Sequence, residues 1–366
     1  MEFGGISKKI LAQVNALKYH GMHVDLSYLK INDKYKFIGR YVDDNILEKY
    51  SNISLVGKFQ RRYKYKNLYN YITKKEIKFL YIRYNHFANP FFINFLKKVK
   101  QKGVIILMEI PTYPYDQEYQ NAHFISKIGL LVEKQSRKKF KKYVTRIITL
   151  SHDTTIFGVP AIEISNGIDP NSVNIVQKSK SDKEFHLAGA ATISLWHGYD
   201  RVIEGLNKYY NEGGTKIIKV FFHIAGDSSN KESIRYKELV NRYRLEGYVF
   251  FHGRKFGKAL DDFFNNADIG VGSLGCHRIG INYIKSIKNR EYCARGIPFF
   301  YSETDQDFEG KDFILKVVAD DSPINIQEII NFLSNKKFDP FKIRNYAVEN
   351  LTWEQQFKKI FREILV

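Results

Sequence analysis

Apolar and polar positions alternate along the chain in two patterns, with helical spacing in some segments and short continuous apolar runs in others. Residues 6–20 have the helical spacing, with Ile10 and Val14 on the apolar face and Gly21 at the end. The alternation of apolar and polar residues over 22–28 then predicts a strand. The chain therefore opens with a helix followed by a strand, the two elements from which α/β folds are built.

The same alternation continues through the first half of the chain and restarts in the second half. The first half has predicted strands at 79–83, 104–109, 146–150 and 161–165 and predicted helices at 91–100 and 124–142. The second half has predicted strands at 185–190, 217–225, 249–252, 269–272, 297–301 and 313–318 and predicted helices at 199–209, 231–244, 258–266, 286–295 and 324–333. Two separate stretches of this kind predict two parallel sheets, each covered by helices.

The predicted fold is therefore α/β, with two Rossmann-like parallel-sheet domains that face each other across a cleft. The polar segment 171–183 is the predicted linker, which gives a first domain over 1–170 and a second over 184–345. Residues 346–366 end in an amphipathic helix, which we expect to pack back on the first domain. Ligands of parallel sheets bind outside the carboxyl ends of the strands, so the cleft is the predicted site.

Composition narrows the class of protein. The chain has only two cysteines and no run of about 18 apolar residues, which predicts a cytoplasmic protein without disulfides or a membrane-spanning helix. Of its 366 residues 44% are hydrophobic, which is enough for two sizeable cores. No Walker loop, paired CxxC or HExxH motif occurs, and this removes several classes of enzyme.

The formal net charge of +19 is concentrated in the first half of the chain. Residues 1–170 carry 29 Lys and Arg against 14 Asp and Glu, a net charge of +15, whereas residues 171–366 carry 29 against 25, a net charge of +4. Lysine and arginine cluster over 58–78 and over 134–142. A field of this size attracts phosphates, anionic lipid or nucleic acid; the alternative is a solvated basic face that only keeps the protein soluble.

Four short motifs follow one another along the chain. Gly4-Gly5 opens the first helix, NGID occupies 166–169, WHGYDR occupies 196–201 and REYCARGIP occupies 290–298. In this order they resemble the GT-4-type family of GT-B glycosyltransferases. The resemblance implies the GT-B architecture and sugar transfer from a nucleotide diphosphate donor, with retention of configuration and without a metal ion or other cofactor. The strand that precedes the glycine pair in the family is missing, so we expect a truncated N-terminus.

The resemblance places the donor mainly on the second domain. Glu291 matches the second glutamate of the family motif, which binds the donor ribose, and its alternative partner is Arg295, four residues on. Lys288 is the best cation for the diphosphate, and His197 takes the place of a family lysine. The other residues predicted to bind the donor are Gly4, Gly5, Arg201, Gly226, Asp227, Gly253 and Arg254.

Besides His197, the sequence departs from the family at two further motif positions. Tyr283 stands near the place of the first motif glutamate, and Ala191 or Thr192 stands in the place of an arginine that grips the diphosphate. Because the first glutamate is associated with the transferred sugar, the identity of that sugar and the stereochemical outcome are left open.

In the first domain, Glu109 ends an apolar strand and precedes a segment rich in proline and tyrosine. A carboxylate at the carboxyl end of a strand is suited to act as acceptor base or to bind a sugar hydroxyl. We therefore predict that Glu109, His197 and Lys288 are the catalytic residues. Asp305-Gln306-Asp307 matches a metal-binding DxD sequence, but it lies in an acidic stretch that predicts a solvated loop.

The predicted function is transfer of a sugar from a nucleotide-sugar to a glycan, or to an acceptor on a polyprenyl diphosphate, in surface polysaccharide biosynthesis. The basic first half predicts a cytoplasmic protein that lies peripherally against the anionic inner face of the membrane. One alternative is a catalytically degenerate GT-B protein that binds another transferase, because two motif residues are missing. Another is a nucleic-acid binder, although the sequence contains no recognised nucleic-acid-binding module.

Overall fold

The computed structural model describes residues 5–32, 37–119, 123–176, 183–211, 217–227 and 229–364. The chain forms two compact units. The first comprises Met1–Ile164 and Phe357–Val366, and the second comprises Ser165–Gln356. Of the residues predicted to bind the donor, Gly4 lies outside the described residues, and Gly5 is the first residue of the first helix.

The first unit contains a five-stranded sheet, a separate three-stranded sheet and the helices that pack on them. Its helices are α1 (Gly5–Tyr19), α2 (Ser54–Tyr63), α3 (Lys66–Lys74), α4 (Pro90–Gln101), α5 (Phe124–Arg137) and α6 (Phe140–Tyr143). Its strands are β1 (Ser27–Asn32), β2 (Phe37–Val42), β3 (Asn45–Ser51), β4 (Phe79–Arg83), β5 (Ile105–Ile110), β6 (Arg146–Thr149), β7 (Thr155–Ile156) and β8 (Val159–Glu163). In the larger sheet, of order β4-β5-β6-β8-β7, the first four strands run parallel and β7 pairs antiparallel with β8.

The core of the first unit forms where α4 packs on the parallel strands. Asn89 caps α4 by accepting hydrogen bonds from the N–H groups of Phe91 and Phe92, and Pro90 occupies the first turn, where no N–H is needed. Leu96, on the covered face of this helix, is 0% exposed. Full burial of such a side chain stabilises the fold by about 1.5–3 kcal/mol.

The three-stranded antiparallel sheet β1-β2-β3 is absent from the prediction, which placed one strand over 22–28 where β1 begins at Ser27. Burial explains the difference. Tyr41 and Tyr50 are 8% and 2% exposed, whereas Ile31 is 62% exposed. Because so few of its side chains are buried, this sheet lacks the regular alternation from which strands are predicted.

The second unit contains a six-stranded parallel sheet. Its strands are β9 (Glu184–Ala190), β10 (Lys219–Ala225), β11 (Val249–Phe251), β12 (Ile269–Val271), β13 (Phe299–Tyr301) and β14 (Ile314–Lys316). Its helices are α7 (Tyr199–Asn211), α8 (Lys231–Arg242), α9 (Lys258–Phe264), α10 (Ile287–Ala294), α11 (Ile326–Ser334), α12 (Pro340–Asn350) and the start of α13 (Trp353–Ile364). The strand order β11-β10-β9-β12-β13-β14 is doubly wound.

This order creates a topological switch point between β9 and β12, which are adjacent and parallel. The chain leaves these two strands in opposite directions, so a crevice opens outside their carboxyl ends. The segments that follow the two strands begin at Ala191 and Gly272. A ligand of the second unit is therefore expected to bind between these two segments.

The α/β class and the two Rossmann-like parallel sheets are confirmed. The single basic helix predicted over 124–142 is instead two helices, α5 and α6, separated by a two-residue turn. Helices α2, α3 and α12 are additions to the predicted set. The last helix, α13, ends in the first unit, where the ring centroid of Phe357 lies 5.7 Å from that of Tyr81 and the centroid of Phe361 lies 5.4 Å from that of His20.

Candidate functional site

Two loops meet at the switch point of the second unit. The N–H of Leu274 donates to the carbonyl oxygen of His197 (3.1 Å), and the N–H of Gly275 donates to that of Trp196 (3.2 Å). Gly198 has φ +62°, and a Cβ there would come within 2.7 Å of the Leu274 backbone. Glycine therefore permits both the left-handed conformation and the close approach of the loops. His197 lies at their junction, beside the carboxyl ends of β9 and β12.

His197 is a buried, neutral hydrogen-bond donor. It is 7% exposed, and its Nδ1 accepts the backbone N–H of Ser194 at 3.0 Å. Burial, together with the charge of Lys288, lowers the pKa of His197 to about 2. Because Nδ1 is an acceptor, Nε2 carries the ring proton of the neutral imidazole. Nε2 thus presents an N–H group at the crevice, and no acceptor for it occurs among the described residues.

Lys288 is a partly buried cation in the first turn of α10. Its Nζ lies 3.5 Å from the hydroxyl oxygen of Tyr199 and 5.4 Å from the centroid of that ring. Burial lowers the pKa of Lys288 to about 7, although Cys276 and Glu303 have the opposite effect. Within the described ranges, no carboxylate forms an ion pair with Lys288. A lysine with this pKa is about half charged at pH 7, and a bound anion favours its charged form.

His197 and Lys288 are thus brought together at the switch point, as one neutral donor and one titratable cation. The first turn of α10 adds the partial positive charge of a helix N-terminus. A phosphate or diphosphate group matches this combination, because it accepts hydrogen bonds and carries negative charge.

Glu291 lies one helical turn after Lys288 on α10. Arg295 donates to its Oε1 from Nε (3.1 Å) and Nη2 (2.8 Å), so the alternative ion pair named above is present. The Glu291 side chain is 22% exposed, and no hydrogen bond to Oε2 occurs in the part of the chain that the structure describes. The second carboxylate oxygen is therefore open to a ligand hydroxyl, and the ribose contact stays a prediction.

Four predicted residues come together at the carboxyl ends of β10 and β11. The N–H of Gly226 donates to the carbonyl oxygen of Gly253 (2.9 Å), and Arg254 forms an ion pair with Asp227. Hydrogen bonds from Ser229, and then from Arg254, lower the pKa of Asp227 to about 2. Because the Arg254 side chain is 63% exposed, a ligand at this edge can contact its guanidinium.

Arg201 is part of the framework of the second unit. It is 1% exposed, and its guanidinium donates to the carbonyl oxygens of Leu274 (2.6 Å), Ser322 (2.8 Å) and Val318 (2.9 Å). These hydrogen bonds connect α7 to the segments that follow β12 and β14. The bonding capacity of Arg201 is used within the unit, so these contacts give no support to the predicted donor contact.

Glu109 is the centre of a polar cluster in the first unit. It is 1% exposed and accepts hydrogen bonds from Arg83 (2.9 Å), Gln13 (2.9 Å) and Tyr81 (3.0 Å), while Lys9 Nζ lies 3.0 Å from Oε1. Burial raises the pKa of Glu109, but the charges of Lys9 and Arg83 and the hydrogen bonds outweigh burial, and the net shift is downward. A carboxylate held ionised in this way is a weak proton acceptor, so the geometry does not favour the predicted base.

The DxD sequence forms a buried ion cluster, and the prediction of a solvated loop is wrong. Arg290 pairs with both Asp305 and Asp307, and its Nη2 lies 2.8 Å from Oδ1 of Asp305. Arg290 and Asp305 are both 0% exposed. The arginine of α10 therefore holds both carboxylates inside the unit. Among the described residues, no group of His, Cys, Asp and Glu side chains is arranged to hold a metal ion.

Three residues that interact with Lys288 are missing from the predicted site. Tyr199 is 0% exposed and lies under the Lys288 ammonium. Burial raises the pKa of Cys276 to about 12, so this thiol stays protonated. Glu303 is 1% exposed and accepts the backbone N–H of His277 (3.1 Å). The sequence contains a signal for each of them. Tyr199 lies inside the WHGYDR motif, and Cys276 and Glu303 follow the carboxyl ends of the strands β12 and β13.

Comparison with known proteins identifies the fold. No family model and no curated protein matches the sequence. The chain is similar to a glycosyltransferase from Rickettsia africae ESF-5, with a TM-score of 0.64 and 12% identity over 100% of this chain and 96% of that one. It is also similar to the sucrose-phosphate synthase of Thermosynechococcus elongatus (TM-score 0.65, 15% identity, 99% and 94% covered). A third similar structure is the pneumococcal O-GlcNAc transferase GtfA in complex with UDP and GlcNAc (TM-score 0.50, 12% identity, 93% and 70% covered).

These solved structures are glycosyltransferases of the GT-B type, and the two most similar of the three cover almost the whole chain. The GT-B fold implied by the four motifs is therefore confirmed.

Proposed function

We propose that this protein is a glycosyltransferase that moves a sugar from a nucleotide diphosphate donor, bound at the switch point of the second unit, to an acceptor hydroxyl. The observation that carries the proposal is the pairing of His197 with Lys288 beside the carboxyl ends of β9 and β12. A desolvated ammonium group that forms no ion pair among the described residues destabilises the fold, and a bound diphosphate offsets that cost. The fold adds support, since the similar pneumococcal transferase is in complex with UDP and GlcNAc.

In this proposal the donor diphosphate lies between the Nε2–H of His197 and the ammonium of Lys288. The bond between the sugar C1 and the diphosphate oxygen breaks, and a bond forms between C1 and the acceptor oxygen, whose hydroxyl proton is released. The negative charge that develops on the leaving diphosphate is stabilised by Lys288, by His197 and by the N-terminus of α10. Metal-independent transfer with retention of configuration is part of the proposal, on the strength of the resemblance to GT-4-type enzymes.

The rest of the donor extends along the carboxyl edge of the six-stranded sheet. The free Oε2 of Glu291 accepts a ribose hydroxyl, while Oε1 remains bonded to Arg295. Arg254 contacts the nucleotide at the ends of β10 and β11, where the space beside Gly253 is open. Gly226 instead permits a close approach to Ala191 and Ile193 within the unit.

The proposed acceptor is a glycan or a sugar on a polyprenyl diphosphate, in surface polysaccharide biosynthesis on the cytoplasmic side of the membrane. The excess of positive charge in residues 1–170 supports an anionic surface as partner. On α5, Ile128, Leu131 and Val132 are 45%, 63% and 43% exposed. In the described ranges no helix is long and apolar enough to cross a bilayer. Peripheral attachment through these apolar residues and the neighbouring lysines is consistent with both observations.

The experiment that tests the function is a thermal-shift panel with UDP-, GDP-, ADP- and TDP-sugars. A ligand at about 100 times its Kd stabilises the folded protein by about 2.7 kcal/mol, which is a clear rise in Tm. We expect one nucleotide class to raise the Tm of the wild type and to raise the Tm of Lys288→Met by clearly less. The proposal is wrong if no nucleotide-sugar changes the Tm of the wild type.

A second candidate function is a GT-B protein that binds a transferase and does not itself transfer sugar. The observation that favours it is that two residues predicted to bind the donor are bonded within the unit. Arg201 donates to backbone carbonyl oxygens, and Glu291 is paired with Arg295. Donor turnover separates the two functions. An enzyme releases nucleotide from its donor in the presence of acceptor, whereas a degenerate protein binds its partner without releasing any.

A further inference from the structure

A cavity of about 610 Å³ lies on the first unit between α5, α6 and the turn that joins β7 to β8. Four of its nine lining residues are basic, and two apolar side chains stand at its wall. The main lining side chains are Lys134, Arg137, Lys138, Lys141, Asp116, Leu131 and Phe157.

This cavity is separate from the cluster around Glu109, because neither Glu109 nor any of its bonding partners lines it. The turn at Phe157 and Gly158 immediately precedes β8, which runs parallel to β6, so the turn lies at the amino edge of the sheet. Glu109 lies near the carboxyl end of β5. The cavity therefore combines this turn with Asp116, which belongs to the segment that follows β5, and it is a separate place on the unit from the Glu109 cluster.

Arg137 is a fixed cation in the wall of the cavity. Its Nη1 and Nη2 donate to the two carboxylate oxygens of Asp116 at 2.8 and 2.9 Å, and Nη1 also donates to the buried Glu133 at 3.0 Å. The guanidinium carbon lies 4.3 Å from the ring centroid of Phe157, and the side chain is 13% exposed. An arginine held in place before binding loses little conformational entropy when an anion binds.

The positive charge of the cavity exceeds its negative charge. Lys134 pairs with Asp116 at 3.0 Å, and Lys138 has an uncharged neighbour, with its Nζ 3.4 Å from the amide oxygen of Gln135. Lys141 has no ion pair in the described part of the chain. Four basic side chains against Asp116 and the buried Glu133 leave an excess of two positive charges.

We propose that this cavity binds a phosphate group, either of a phospholipid head or of a soluble phosphorylated ligand. Lys138 and Lys141 are exposed and carry flexible ammonium groups that donate to phosphate oxygens. The guanidinium of Arg137 is bonded to Asp116 and Glu133 and contributes fixed positive charge to the wall. The exposed Leu131 borders the same cavity, so an apolar group attached to the phosphate has a surface to lie on. The site is distinct from the donor site of the second unit. A soluble phosphorylated ligand goes beyond the proposed function, whereas a phospholipid head rests on the peripheral attachment proposed there.

The test compares two double variants that remove the same charge from the same segment. Lys138→Gln with Lys141→Gln removes two cations from the lining, whereas Lys139→Gln with Lys142→Gln removes two exposed cations that do not line the cavity. Glycerol 3-phosphate and inorganic phosphate are the soluble probes. Vesicles of phosphatidylglycerol in phosphatidylcholine, against vesicles of phosphatidylcholine alone, are the lipid probe.

We expect the lining variant to lose about tenfold or more in affinity for at least one probe, and the control variant to stay within about twofold of wild type. Loss with the soluble probes assigns the site to a free phosphorylated ligand, and loss with the anionic vesicles alone assigns it to a lipid head group. Both results support the proposal.

Equal weakening in the two double variants would overturn it, because binding would then follow net charge and not the cavity. Absence of wild-type binding to every probe would overturn it as well. Both variants should unfold at the wild-type temperature and bind nucleotide-sugar as the wild type does, so failure here is distinguishable from failure of the proposed function.

Discussion

Both units have a desolvated charged group near the carboxyl edge of the parallel sheet, but only in the first unit does that group form ion pairs. In the first unit, Glu109 is bonded by Lys9, Arg83 and two neutral donors, so its charge is fully compensated. In the second unit, Lys288 has no ion pair among the described residues, and the ring of His197 beside it is neutral. The charge of Glu303 offsets only part of the effect of burial on the pKa of Lys288.

The charge of Glu109 therefore stabilises the fold through its ion pairs, whereas the charge of Lys288 is available to bind an anionic ligand. Removing one partner of a buried ion pair leaves the other charge buried without compensation, which lowers the free energy of unfolding by about 3–5 kcal/mol. Lys288 is already in that situation, and its pKa of about 7 is the result. A group that destabilises the free protein and gains from an anion is typical of a binding site.

The largest effect is expected from Glu109→Ala, which leaves Lys9 and Arg83 without their common partner. We predict a loss of about 3–5 kcal/mol in the free energy of unfolding, measured by urea denaturation. The control is Glu163→Ala in the same unit, whose partially exposed pair with His152 should contribute no more than about 1 kcal/mol. Equal effects of the two substitutions would show that Glu109 is not a structural centre.

The pH dependence of this stabilisation has a definite sign. The native pKa of Glu109 lies below the ordinary value of 4.5 for a glutamate. Its contribution is therefore fully present above pH 4.5 and is lost as the pH falls through the native pKa. Below pH 4.5 the free energy of unfolding should therefore fall less steeply with decreasing pH in Glu109→Ala than in the wild type.

The opposite behaviour is expected from Lys288→Met. Donor affinity should fall by about 10- to 150-fold, the equivalent of about 1.5–3 kcal/mol for a charged hydrogen bond. The free energy of unfolding should stay the same or rise, because an uncompensated buried charge is removed. The exposed Lys208→Met in the same unit is the control and should change neither quantity. A large loss of stability in Lys288→Met would contradict the contrast between the two units.

A smaller effect is expected from Glu291→Gln, because Arg295 occupies one carboxylate oxygen and the ribose contact involves the other. We predict about a tenfold loss of donor affinity, or about 1.4 kcal/mol. The loss should disappear when the wild type and the variant are compared with a donor that lacks ribose hydroxyls. If Glu291→Gln binds the ordinary donor as tightly as wild type does, the ribose assignment is wrong.

No effect is expected from removal of divalent metal ions. Transfer measured with excess EDTA should proceed at the rate measured with magnesium, since Lys288 and His197 supply the positive potential at the leaving group. Loss of activity that magnesium restores would show that the switch point of the second unit needs a metal ion as well as Lys288.

The sequence predicts most of the two large sheets, because their strands are buried on both faces and appear as continuous apolar runs. It does not predict β1, β2 and β3, where side chains such as Ile31 remain exposed. The segment over 124–142 appears as one amphipathic helix, whereas Phe140 is buried in a second helix after a turn.

The candidate site is partly visible in the sequence. His197 and Lys288 can be predicted as site residues because they lie at the ends of predicted elements, in or beside the motifs that resemble the GT-4-type family. The hydrogen bonds from Arg201 to the carbonyl oxygens of Leu274 and Ser322 cannot be predicted from the sequence, because these partners lie 73 and 121 residues away. The burial of Asp305 depends in the same way on Arg290, a contact that spacing alone does not reveal.

The measurement that tests the central claim most directly is calorimetric titration of the nucleotide diphosphate identified by the thermal-shift panel, at pH 7 in two buffers of different ionisation enthalpy. Because Lys288 has a pKa of about 7 in the free protein, binding should take up about half a proton per site. Affinity should fall as the pH rises above 7, and Lys288→Met should bind more weakly with no such uptake. Tight binding with the same proton uptake in wild type and in Lys288→Met would contradict the claim that Lys288 receives the diphosphate.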